Sequence, residues 1–138
     1  MRDDIGKERL VLADSSVWID YFNGVATPQA DALDAFLATG RVILGDLIVI
    51  EVLQGFRRDK DFSAAKAALF SLTVETMVGP DAALEAASAF RTLRARGVTV
   101  RKTIDVMIAC HCVRRGHALL HADRDFDLMA PVLGLETV

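Results

Sequence analysis

Four acidic residues lie in stretches whose apolar neighbours predict buried structure: Asp14, Glu51, Asp105 and Asp123. Burying a carboxylate without a partner is unfavourable, and gathering several of them in one place adds mutual repulsion. A divalent cation is the counter-charge that would make such a cluster stable. The sequence therefore predicts a metal site built from carboxylates.

The ligand types indicate which metal and which chemistry. Carboxylate oxygens suit Mg²⁺ or Mn²⁺, and the three histidines, His111, His117 and His121, do not have the spacing of a zinc motif. Carboxylates that hold one or two such ions can activate water and neutralise the charge that builds on a phosphodiester during attack. We therefore expect phosphodiester hydrolysis without a covalent nucleophile.

Three of the acids also have structural alternatives. Asp14 could cap the following helix, Asp123 could lie in a turn, and Asp105 could be stabilised by the dipole of its helix. Glu51 is harder to explain in this way, because it interrupts an apolar helix between Ile50 and Val52.

Alternating strands and helices predict an α/β fold with a mainly parallel central sheet flanked by helices. Strands are expected at residues 10–13, 41–44, 74–77, 117–122 and, as an edge strand, 135–138. Helices are expected at 15–22, 28–38, 47–56 with Asp46 as N-cap, 60–72, 81–96 and 103–115. No two strands are joined by a hairpin signal.

This arrangement predicts that the acids meet. In open α/β sheets, sites form beyond the carboxyl ends of the strands. Asp14 and Asp123 follow predicted strands, whereas Glu51 and Asp105 lie in the first turns of predicted helices. All four can therefore face one crevice.

Length and composition limit the organisation of the chain. Its 138 residues predict one domain, with residues 1–8 as a loose N-terminal tail. No apolar run is long enough to span a membrane, so a cytoplasmic protein is expected. A hydrophobic share of 52% is high, which fits either apolar surface covered by a partner or a core rich in small aliphatic residues.

Cys110 and Cys112 are predicted to be reduced and packed, because they point to nearly opposite faces of a helix.

The net charge of −3 conceals clusters of basic residues near the acids. Arg101 and Lys102 precede Asp105, and Arg124 follows Asp123. These side chains could hold phosphates beside the acids, or they could simply be solvated helix ends.

Four segments together resemble the acidic motifs of PIN-domain nucleases, in order and across nearly the whole chain: LADSSVWIDYF, VIEVLQGF, RKTIDVMIAC and LLHADRDFD. The similarity is greatest to the VapC toxins of bacterial toxin–antitoxin pairs. It implies a PIN-like fold and an Mg²⁺- or Mn²⁺-dependent endoribonuclease. The site acids it implies are Asp14, Glu51, Asp105 and Asp123.

The resemblance also implies supporting residues and partners. Ser15 matches a hydroxyl residue that supports the metal-bound water, and Asp125 matches a fifth acid that could instead cap the next helix. His121 departs from the Thr or Ser that is commoner two residues before the fourth acid. The implied partners are an RNA substrate, a second copy of the chain and a small VapB-like antitoxin that blocks the site. Aromatic residues of the first predicted helix could contact such a partner or pack in the core.

Two other protein classes fit parts of the sequence. A phosphoacceptor receiver domain also gathers acids at strand ends, but it needs a middle-strand Asp and a late Lys that this chain lacks. A catalytically silent PIN-like module that binds RNA or a partner would leave the four gathered acids without a reason.

Overall fold

A four-stranded parallel sheet with strand order β3-β2-β1-β4 forms the centre of the molecule. The protein is described over residues 9–138 by a computed structural model, so the tail predicted at residues 1–8 lies outside the described residues. The strands are β1 (Val11–Ala13), β2 (Val42–Gly45), β3 (Val74–Glu75) and β4 (Ala118–Leu120). The predicted parallel α/β architecture is confirmed.

Seven helices surround the sheet within residues 9–138. They are α1 (Ser15–Phe22), α2 (Pro28–Ala38), α3 (Asp46–Leu53), α4 (Asp59–Leu69), α5 (Pro80–Ala95), α6 (Thr103–Arg115) and α7 (Arg124–Leu133). Local signals explain several boundaries. The Thr27 hydroxyl oxygen accepts a hydrogen bond from the Ala30 amide at the start of α2, and Gly116 adopts the left-handed conformation that ends α6.

Strands β3 and β4 are shorter than the sequence predicts, because side chains take backbone hydrogen bonds that a longer ladder would use. The Met77 amide donates to the Asp46 carboxylate, so β3 stops at Glu75. The Asp123 amide donates to the His121 ring, and the chain turns away after β4. The edge strand predicted at 135–138 is wrong; only a single parallel bridge joins Leu119 to Thr137.

The prediction that Asp46 caps α3 is also wrong, since Gly45 occupies the N-cap position and Asp46 is the first helical residue. One carboxylate oxygen of Asp46, Oδ1, accepts from the amides of Leu47 and Met77, both at 2.9 Å. Asp46 therefore ties the start of α3 to the chain after β3. This tie fixes the helix that carries Glu51.

The core lies on both faces of the sheet. Every residue of β1 is completely buried, and β2 and β4 are buried along their whole length, as expected for parallel strands covered by helices. Trp18 is also buried and stacks on Phe22, so at least this aromatic residue belongs to the core. None of the helices in residues 9–138 has the length and apolar character needed to cross a membrane.

The two cysteines are free and buried, as predicted. Burial is the largest cause that raises their pKa values, to about 11 for Cys110 and beyond the ordinary thiol range for Cys112. Both thiols are therefore protonated packing groups rather than nucleophiles.

The close approach of Gly45 and Met77 gives a test of this packing. A Cβ added at Gly45 would overlap the buried Met77 side chain beside the Asp46 tie. We expect Gly45→Ala to lower the free energy of unfolding by about 1–3 kcal/mol, measured by urea denaturation. Gly55→Ala is the matched control, because its nearest neighbour would be the Val52 carbonyl oxygen at 3.7 Å. Equal stability of the two variants would contradict this packing.

Candidate active site

The end of β1 is joined directly to the end of β4. The Asp14 amide donates to the Leu120 carbonyl at 2.9 Å, which aligns the two strand ends. Asp14 follows β1, and Asp123 lies three residues beyond Leu120. Two of the four predicted acids are therefore brought to the same edge of the sheet by the strand pairing.

Helices α3 and α6 supply the other two acids. Glu51 lies in the second turn of α3, and Asp105 lies in the first turn of α6. Negative charge on Asp14, Asp123 and Glu51 acts on the carboxyl group of Asp105 and raises its pKa. Asp105 is thus close enough to each of the other three acids for their charges to act on it.

Burial and repulsion between negative charges both raise the pKa values of three of these acids, Asp14, Glu51 and Asp105. Burial is the largest cause that raises the pKa of Asp105 to about 6, and the charge of Asp14 adds to it. Burial also raises the pKa of Asp14, against a hydrogen bond from the Ser16 hydroxyl at 3.2 Å. The pKa of Glu51 is raised by burial, against a hydrogen bond from the Ser15 side chain. Without a cation, the site therefore disfavours its own ionised form.

Among residues 9–138, two buried oxygens in this site have no hydrogen-bond partner: Oε1 of Glu51 and Oδ2 of Asp105. Buried polar atoms in proteins are nearly always paired, so unpaired oxygens in a carboxylate cluster are the positions that a cation would fill. An all-oxygen donor set of this kind matches Mg²⁺ or Mn²⁺. The residues present therefore fit a hard divalent ion.

Asp125 joins the cluster as well. One carboxylate oxygen from each of Asp105, Asp123 and Asp125 lies within 4.8 Å of the others. The alternative role of Asp125 as a helix cap is wrong: Asp123 is the N-cap of α7, and its Oδ1 accepts from the Asp125 amide at 2.9 Å. Asp14 occupies the N-cap position of α1, but its side chain makes no capping hydrogen bond.

The basic residues named from the sequence lie at the edge of the site. Lys102 acts on both Glu51 and Asp105 and lowers their pKa values, against the larger effect of burial. Arg101, Lys102 and Arg124 are all exposed. Their charged groups are therefore available to a polyanion that approaches the carboxylates.

His121, the position that departs from the commoner motif, has a defined structural role. Its Nδ1 accepts from the Asp123 amide at 3.1 Å, which places the ring proton on Nε2. That Nε2 lies 3.4 Å from Oδ1 of the exposed Asp127. The imidazole thus holds the backbone of Asp123.

A second cluster was missed by the sequence prediction. Glu75, His111 and His117 place one ligand atom each within 4.8 Å of the others. Two histidines six residues apart, with a glutamate 36 residues before the first of them, match no known zinc spacing. Only the three-dimensional fold brings them together.

Comparison with known protein families and sequences gives a consistent result. The family model described as "PIN domain" matches residues 11–131. Ribonuclease VapC11 of Mycobacterium tuberculosis is 30% identical over 132 residues, which cover 92% of this chain and 96% of that protein.

Solved structures share the fold at lower sequence identity. A DNA-bound VapBC from Salmonella typhimurium matches with a TM-score of 0.73 and 17% identity, over 94% of this chain and 97% of the other. VapC20 of Mycobacterium tuberculosis, described as a sarcin-ricin loop cleaving toxin, matches with a TM-score of 0.63 and 18% identity. That match covers 85% of this chain and 92% of VapC20.

The raised pKa of Asp105 predicts how stability depends on pH in the presence of a chelator. The pKa of Asp105 is about 6 in the folded protein, so the folded state binds a proton on this carboxyl more tightly than the unfolded state does. The stabilisation that results is complete at pH values below the pKa of Asp105 in the unfolded chain. It is lost as pH rises through about 6. Asp105→Asn should therefore be more stable than wild type near pH 7.5, by up to about 3 kcal/mol, with a smaller difference near pH 4.5.

Urea denaturation of both proteins at the two pH values measures this difference. Adding Mn²⁺ near neutral pH should stabilise wild type more than the variant. A stability difference that stays the same at both pH values would show that the Asp105 carboxyl is not protonated on folding.

Proposed function

This chain belongs to the PIN-domain family, and on that premise we propose that it is a metal-dependent endoribonuclease toxin of a VapC-type toxin–antitoxin pair. The observation that carries the proposal is the shared carboxylate site with two buried oxygens left unpaired, those of Glu51 and Asp105. The relationship to ribonuclease VapC11 over nearly the full chain supports RNA as the substrate. Such an enzyme would act in the cytoplasm, where its RNA substrate is found.

Each acid has a role in this proposal. Asp14, Glu51 and Asp105 would hold the principal ion, and Asp123 would complete its coordination or bind a second ion, with Asp125 beside it. Mg²⁺ or Mn²⁺ bound there would lower the pKa of a water ligand and neutralise charge on the phosphodiester. The Ser15 and Ser16 side chains hold the Glu51 and Asp14 carboxylates through hydrogen bonds.

The exposed cations would position the substrate. Arg101 and Lys102 precede α6, which carries Asp105, and Arg124 begins α7 directly after Asp123. Contacts with backbone phosphates would orient the strand for in-line attack of water on phosphorus, with cleavage of the bond to the bridging ribose oxygen. Phosphate contacts do not read sequence, so the RNA target is left to be identified by sequencing the cleaved ends.

We also propose a homodimer and a small VapB-like antitoxin as partners. The fold is shared with a VapBC complex, and this chain exposes large apolar side chains at Ile50, Phe70 and Leu84. Exposed apolar residues of this size are suited to burial in such interfaces. A neighbouring reading frame for a small DNA-binding protein would support the toxin assignment.

Asp14→Asn tests the enzyme directly. We expect RNA cleavage to fall by at least about 100-fold, because loss of a metal ligand removes more than loss of an outer-shell contact. The melting temperature should stay equal or rise, since a neutral amide avoids the repulsion that a buried carboxylate meets there. Purified protein would be incubated with total cellular RNA and Mg²⁺, Mn²⁺ or chelator.

The matched control is Asp81→Asn, which changes an exposed acid in the first turn of α5 and should cleave like wild type. Discrete fragments from wild type and this control, absent with chelator, are the expected result. Cleavage by folded Asp14→Asn at the wild-type rate would exclude the proposed site. If folded, metal-loaded wild type did not cleave RNA, a silent RNA- or partner-binding module would replace the enzyme.

A further inference from the structure

Glu75, His111 and His117 converge on one point outside the carboxylate site. Glu75 lies in β3, His111 lies in α6, and His117 directly precedes β4. The Nε2 atoms of His111 and His117 lie 2.9 Å and 2.8 Å from the same Glu75 oxygen, Oε1. Three potential ligand atoms from three segments of the chain are therefore gathered around one position.

The cluster is shielded from solvent. The side chains of His111, His117 and Glu75 are 0%, 8% and 12% exposed. Burial, the largest cause, lowers the pKa of His111, so its ring is neutral near pH 7, which is the form that binds metals. Burial disfavours ionisation of Glu75, but hydrogen bonds from both histidines outweigh it and keep its pKa below the ordinary value.

Two imidazole nitrogens and a carboxylate oxygen form a ligand set used for Zn²⁺, with the fourth position left to water. We propose that Glu75, His111 and His117 form a second metal site, for Zn²⁺ or a similar transition-metal dication. Its nitrogen ligands distinguish it from the all-oxygen site, which favours Mg²⁺ or Mn²⁺. A bound ion would join β3 to α6 and to the chain entering β4.

Two arginines contact the side chains that would bind the ion, and so would compete with it. NH2 of Arg114 lies 3.2 Å from Nδ1 of His111, and NH1 of Arg115 lies 3.4 Å from Oε2 of Glu75. Because a guanidinium group can only donate, Nδ1 of His111 accepts and its ring proton is on Nε2. Metal binding would move that proton to Nδ1 and displace Arg114.

This displacement is feasible, because both arginines can move into solvent. Arg114 and Arg115 are 37% and 50% exposed, and Arg114 already pairs with Glu85 on α5. In the structure, Glu75 is partnered by the Nε2 protons of His111 and His117 and by the guanidinium group of Arg115. The ion would replace these partners. Removing the Arg114 charge should strengthen metal binding.

Co²⁺ is the probe for the test, because its visible absorption separates a four-coordinate site with nitrogen ligands from a six-coordinate oxygen site. All variants would carry Asp14→Asn, which weakens the competing carboxylate site without touching this cluster. We expect one Co²⁺ per chain with intense visible bands. Glu75→Gln and His117→Gln should each weaken its affinity at least about 10-fold.

Asp61→Asn is the matched control, since it removes an exposed carboxylate in the first turn of α4, outside the cluster, and should keep the full affinity. Arg114→Gln should bind Co²⁺ several-fold more tightly. Circular dichroism would establish that each variant is folded, and either ligand variant alone suffices if the other does not fold. Failure to bind at millimolar Co²⁺ would overturn the proposal, as would equal affinity in a folded ligand variant or no gain in Arg114→Gln.

Discussion

Repulsion among buried carboxylates is the constraint on which the functional part of this molecule depends. Asp14 and Asp105 are only 7% and 5% exposed, and the charge of Asp14 helps to raise the pKa values of both Glu51 and Asp105. Neighbouring Lys102 offsets part of this effect, but the pKa of Asp105 is still about 6. Gathering these acids therefore lowers the stability of the folded chain, and a bound cation would offset that cost.

The fold holds the acids together through short, rigid connections. The Asp14 amide binds the end of β4, the Asp46 carboxylate ties the start of α3 to the chain after β3, and His121 holds the backbone of Asp123. The first and third connections involve the backbone of a site acid, and the second involves the helix that carries Glu51. The last two of these hydrogen bonds also end strands β3 and β4.

The acids and the sheet could be predicted from sequence because both depend on local patterns. Apolar runs bounded by helix signals indicate parallel strands, and the acids that follow two of these runs, Asp14 and Asp123, indicate a strand-end site. The Glu75, His111 and His117 cluster could not be found in this way, because its members belong to three separate segments. Local sequence predicts Asp46 as a cap, because it does not reveal that the Asp46 carboxylate also binds the distant Met77 amide.

Diffraction at the manganese absorption edge, from crystals grown with Mn²⁺, tests the shared site most directly. We predict an anomalous peak from an ion that is ligated by Asp14 and by at least two of Glu51, Asp105 and Asp123. Its ligands should include Oε1 of Glu51 or Oδ2 of Asp105, the two buried oxygens without a partner among the described residues. No peak at this position in millimolar Mn²⁺, or one ligated by other residues, would contradict the account.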